Sequence, residues 1–227
     1  MKYFKIALLL ITLISSSTFS IAESQKTQLT NVELKLLLSK AETNFSKIRT
    51  IKTLFTQEKN LSLFSEKIIS KGFCIFKAPD KLRLEFTKPF KSALIINITD
   101  IYKYEHIDEN WHKLSPGNKE IMLIIMKNIT SWLTGKFNDP KLYDIKAYKN
   151  MDNTSIILIP KNKDFKKFIS SFELGLNKKI DSLKYIIINE KKKDYTKIEF
   201  HDDIIDGKVN EKVFSGKANK PQDVERW

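Results

Sequence analysis

The chain has 227 residues, of which 41% are hydrophobic and 30% charged, enough apolar surface for one sizeable core and too much charge for a membrane-embedded protein. Its net charge of +13 comes from lysines scattered along the whole length, which suits anionic headgroups or an acidic partner and argues against a dedicated nucleic-acid patch. The single cysteine, Cys74, excludes an internal disulfide and reads as a small buried hydrophobe.

Residues 1–22 read as a secretory leader. Lys2 and Lys5 make a basic start, and residues 6–14 are apolar apart from Thr12. That stretch is well short of the ~20 residues a spanning helix needs. Ser20 and Ala22 supply small side chains for cleavage after Ala22. No cysteine follows the apolar run, so an exported chain without a lipid anchor is expected, with residues 23–227 as one domain.

Residues 31–48 carry Leu34, Leu37, Leu38, Ala41, Phe45 and Ile48 on one stripe at helical spacing, with Asn31 as the expected cap and Glu33 favouring the helix dipole. The period then changes to two. Strands are expected over 51–57, 68–77, 82–87, 94–98, 102–106 and 111–114. The third alternates cleanly, with Leu82, Leu84 and Phe86 opposite Arg83, Glu85 and Thr87. Residues 118–136 read as a second helix whose start, 121–126, is apolar all round. Such a helix must be buried or must cover something apolar. Five more strands follow, over 143–148, 155–160, 169–176, 183–190 and 195–201, joined by short polar turns such as Lys191–Lys193. Short joins between alternating strands mean antiparallel hairpins. The fold class is therefore α+β, an open antiparallel half-barrel of about 11 strands. An N-terminal helix and a helical lid cover its concave face. The tail, 215–227, reads as loose.

No chemistry of an enzyme is evident. His106, His112 and His201 form no metal-binding pair, and no G-x-S-x-G elbow, phosphate loop or Cys/His cluster occurs. The neighbouring acids Asp202 and Asp203 read as a solvated strand end. No catalytic residue, metal or cofactor is assigned, and a dispersed hydrolase triad stays open as an alternative.

Several short patterns occur in a telling order. They are Phe55-Thr56-Gln57, then Ser70-Lys71-Gly72 leading through Phe76-Lys77-Ala78-Pro79 to Leu82-Arg83-Leu84-Glu85-Phe86, then Pro89. Late in the chain come residues 193–200, Val213-Phe214 and Pro221. Together they resemble the outer-membrane lipoprotein carrier proteins (LolA-like) from about Leu34 to Pro221. The resemblance implies a periplasmic carrier that takes acylated lipoprotein from an inner-membrane transporter and passes it to an outer-membrane acceptor, working alone as a monomer. Ala78 stands where these carriers commonly have an Arg that helps hold the lid, and Leu84 where they have Trp. A paralogue carrying another lipid, or an envelope lipid sensor on the same scaffold, therefore stays open.

On this reading Phe55, Phe76, Leu84, Phe86, Leu94, Ile96, Phe172 and Leu174 line a lipid-binding cavity, and Ile121, Met122, Ile124, Ile125, Met126 and Trp132 form the lid. At each lining position ordinary core is the competing reading.

Overall fold

A computed structural model describes residues 26–97, 100–115, 119–151 and 153–215. The expected leader, the turn before the second helix and the tail lie outside them.

Twelve strands form one antiparallel sheet. They are β1 (Thr27–Gln28), β2 (Thr50–Asn60), β3 (Ile68–Lys77), β4 (Lys81–Lys88), β5 (Ser92–Asn97), β6 (Asp100–Ile107), β7 (Asn110–Leu114), β8 (Tyr143–Lys149), β9 (Thr154–Pro160), β10 (Ile169–Leu176), β11 (Leu183–Glu190) and β12 (Tyr195–Ile205). Their order is β1-β8-β9-β10-β11-β12-β2-β3-β4-β5-β6-β7, so the two edges do not meet and the sheet is open. Eleven strands correspond to those expected. The twelfth, β1, is a two-residue segment pairing with β8 and is too short to carry a pattern of its own. The spine is the long β2–β12 pair, from Tyr195 opposite Asn60 to Ile205 opposite Ile51.

Two helices accompany the sheet, α1 (Asn31–Phe45) and α2 (Lys119–Leu133). Thr30, and not Asn31, caps α1. The Thr30 side chain accepts from the Glu33 N–H, and the Glu33 carboxylate accepts from the Thr30 N–H at 2.8 Å. The Thr30 N–H, and then its hydroxyl, donating to the Glu33 carboxylate hold that carboxyl below its ordinary value. Leu37, Leu38, Ala41 and Phe45 are the buried face of α1.

Alternation decides which side chains meet the helices. Phe55, Cys74, Phe76, Leu82, Leu84, Ile96, Leu174 and Phe200 share one buried cluster with the apolar faces of α1 and α2. Arg83 and Glu85, two residues apart on β4, point to the opposite, convex face. They are not solvated there, because a 3-10 turn, Glu211–Phe214, lies over them. Val213 and Phe214 pack on Ile75, with Phe73 and Val209 beside them. Arg83 Nε donates to Glu85 Oε2 at 2.8 Å and its Nη1 to the Val213 carbonyl at 3.0 Å. Val213 and Phe214, which carry part of the family resemblance, lie in this turn.

Gly72 on β3 is required by proximity. A Cβ there would fall 1.9 Å from the Glu85 carbonyl oxygen, next to a register shift in the β3–β4 pair. On β12 a bulge at Asp202 (φ 55°) carries the strand on to Ile205. Asp203 thereby turns inward, accepts from Thr53 Oγ1 at 2.7 Å and is half-buried, while Asp202 is exposed as expected of a solvated strand end.

Candidate functional site

The stripe Met126, Ile129, Trp132 and Leu133 of α2 is buried against the concave face. Trp132 meets Phe172 edge-on at 4.9 Å between ring centroids. Phe172 also meets Tyr143 edge-on and stacks with Phe165, each at 6.1 Å. On the α1 side, Phe45 meets Phe137 edge-on at 5.4 Å. Aromatic side chains from α1, α2, β8 and β10 thus fill the space between helices and sheet.

Six of the eight expected lining residues, Phe55, Phe76, Leu84, Ile96, Phe172 and Leu174, are buried in this one cluster. Phe86 and Leu94 are half-buried and pack against it, Phe86 meeting Phe55 edge-on at 5.1 Å. The structure therefore brings all eight together as packed core, with side chains of the two helices in the space expected to be a cavity.

The lid residues divide. Met126 and Trp132 are buried, and Met122 and Ile125 are half-buried against the cluster. Ile124 is 43% exposed and faces the other way. The side chain of Ile121 lies outside the described residues. The helix is thus amphipathic, and the all-round apolar run at its start does not make it buried all round. Ile129 and Leu133 are not among the expected lid residues, although Met122, Met126, Ile129 and Leu133 follow 4-3-4 spacing. The α1 contribution was legible as a stripe but not as part of the site.

The outer face of α2 borders open space. A groove of about 620 Å³ runs between Glu120, Ile124, Lys127, Asn128 and Ser131 on α2 and a wall of Leu142, Tyr143, Pro160, Phe165 and Phe168. That volume lies in the usual range for small-molecule sites. Asn128 and Tyr143 both line it, the Asn128 amide donating to the Ile124 carbonyl at 2.8 Å, and burial pushes the Tyr143 phenol up to about 12. The groove adjoins the expected lid on the face away from the expected cavity.

Cys74 is buried on β3, and burial raises its thiol to about 12, which makes it unreactive at neutral pH. His106 is half-buried and meets Trp111 edge-on at 5.3 Å, while His112 and His201 are exposed. Among the described residues no cluster of His, Cys, Asp or Glu is arranged to hold a metal. Among them, too, no helix is long and apolar enough to cross a membrane.

Among solved structures the fold is similar to a LolA superfamily protein from Nitrosomonas europaea, with 10% identity over 79% of this chain and 96% of that one and a TM-score of 0.43. It is also similar to a conserved protein from Thermus thermophilus, with 10% identity, 83% and 96% coverage and a TM-score of 0.46. The lipoprotein LppX of Mycobacterium tuberculosis matches at 10% identity, 78% and 98% coverage and a TM-score of 0.41. No curated protein sequence matches significantly. The sequence model of the family described as outer membrane lipoprotein carrier protein LolA matches residues 46–217, which takes in eleven of the twelve strands and α2, and the chain belongs to that family.

Proposed function

We propose that this chain is a periplasmic carrier, exported by residues 1–22 and not lipid-anchored. It holds the acyl chains of a lipoprotein between the concave sheet face and α2, with α2 as the lid. It receives them from an inner-membrane transporter and gives them to an outer-membrane acceptor, without chemical conversion.

The observation that carries this reading is how α2 is attached. Its apolar stripe packs in a cluster of hydrocarbon and aromatic side chains, and the Asn128 and Thr130 side chains bond within the helix, to the Ile124 and Lys127 carbonyls. Contacts of that kind are non-directional, so an acyl chain can replace them. Withdrawing Met126, Ile129, Trp132 and Leu133 costs about 1.5–3 kcal/mol each, and burying an acyl chain returns ~0.8 kcal/mol per CH₂. A chain of about a dozen methylenes thus offsets the lid's own side chains, which makes loading nearly balanced and release possible. Membership of the lipoprotein carrier family supports the choice of cargo.

The test uses Trp132 as reporter, with Trp111 and Trp227 replaced by Phe. Titration with a diacylated lipopeptide is expected to change Trp132 emission saturably as α2 lifts from Phe172, while the same peptide without acyl chains leaves it unchanged. Equal responses to both peptides, or none together with failure of the lipopeptide to co-elute, would disprove the reading.

A further inference from the structure

The antiparallel order puts all joins between neighbouring strands on two rims. One rim carries the β2–β3, β4–β5, β6–β7, β9–β10 and β11–β12 joins. Apolar side chains stand out of three of them. Leu63 (91% exposed) and Phe64 (60%) tip the β2–β3 hairpin, Phe90 (82%) stands in the β4–β5 turn, and Phe168 (50%) precedes β10. An exposed Phe at a loop tip buries nothing in the folded chain, so its position is not explained by the core.

Lysines accompany these tips. Lys88 and Lys91 flank Phe90, Lys166 and Lys167 precede Phe168, and the exposed run Lys191–Lys193 turns between β11 and β12. Acids share the rim: Glu66 in the β2–β3 join, Asp108 and Glu109 in the β6–β7 turn, Asp164, which pairs with Lys167 at 2.8 Å, and Asp194, which accepts from the Ser62 N–H. The opposite rim differs. Its described joins expose Met151 but no aromatic ring. The groove beside α2 opens next to Phe168, on the aromatic rim.

We propose that this rim is a docking surface for an anionic lipid bilayer, with Leu63, Phe64, Phe90 and Phe168 entering the headgroup layer and the neighbouring lysines binding lipid phosphates. Basic charge with interspersed aromatic and aliphatic side chains is what interfacial binding requires. The apolar groups stand on separate loops and form no continuous patch. A deformable bilayer meets such tips one by one, whereas a folded acidic partner would need a contiguous complementary surface. The proposal stands whether or not the interior takes acyl cargo, and it places the chain reversibly on a membrane face.

The experiment is sedimentation with vesicles, using the chain from Glu23 onward, which retains every described residue and omits the apolar leader. Binding to vesicles of phosphatidylglycerol and phosphatidylcholine in equal parts is expected, with little to pure phosphatidylcholine and a steep loss on adding salt. Phe64→Asp with Phe90→Asp is expected to weaken binding at least about tenfold, and so is exchange of Lys191, Lys192 and Lys193 for Glu. Met151→Asp on the opposite rim is expected to leave it unchanged. All these positions are exposed, so unchanged unfolding midpoints check that the variants fold. Absence of vesicle binding, indifference to lipid charge, or equal loss in the rim and Met151 variants overturns the proposal. So does retention on polyglutamate without vesicle binding, which would make the rim a protein-docking site.

Discussion

Arg83 and Glu85 lie almost wholly out of water, 1% and 3% exposed, and each depends on the other and on the turn above them. Removing one partner leaves a buried charge without compensation. Arg83→Met alone is therefore expected to cost about 3–5 kcal/mol in denaturant unfolding, and Arg83→Met with Glu85→Leu distinctly less. At the rim of the same contact, Glu211 accepts from Lys77 and, at 2.8 Å, from Lys81. These bonds, Lys77 first, hold its carboxyl below the ordinary 4.5. A lowered folded value means stabilisation that is complete above 4.5 and lost as pH falls through the folded value. Glu211 is half exposed, so screening limits the effect to about 1 kcal/mol or less. Glu211→Gln is expected to lower the unfolding midpoint at neutral pH and to match the wild type in strong acid.

At the scale of elements, α2 presents two faces to two surroundings. Its inner stripe is anchored by Trp132 on Phe172, and Trp132→Ala is expected to cost about 3–5 kcal/mol in denaturant unfolding. Ile124 faces the groove, and Ile124→Asp is expected to change stability by no more than about 0.5 kcal/mol. A loss as large as that of Trp132→Ala would mean that the outer face is packed in solution and that no groove exists there. The 3-10 turn over Arg83 and Glu85 belongs to the same scale. Four residues with two apolar side chains, Val213 and Phe214, turn an outward strand face into a second small core.

At the scale of the molecule, an open sheet has a protected middle and two exposed margins. The pairs β12–β2 and β2–β3 are long and lie in the middle of the strand order, while β1 has two residues and β7 five. Amide hydrogen exchange is expected to be slowest in β2, β3 and β12 and fastest in β1 and β7. Uniform protection would imply that the margins are covered, by closure or by another chain. Short margins also limit edge-to-edge association of so large a sheet.

Eleven strands and both helices were legible in the sequence, because period two and the 3-4 stripe are local consequences of one face meeting a core. The apolar identity of the concave face was legible for the same reason, down to Phe55, Phe172 and Leu174. The cap was displaced by one residue because Thr30 and Asn31 both suit it, and only the geometry at Glu33 chooses between them. The tertiary structure alone decided whether the face is an empty cavity or filled by Trp132 and its neighbours. A side chain's period says which way it points, not what occupies the space it points into. Distance in sequence hid the rest. Arg83 meets Val213 across 130 residues, and the Phe-bearing loops come together on one rim only once antiparallel pairing has set every strand's direction.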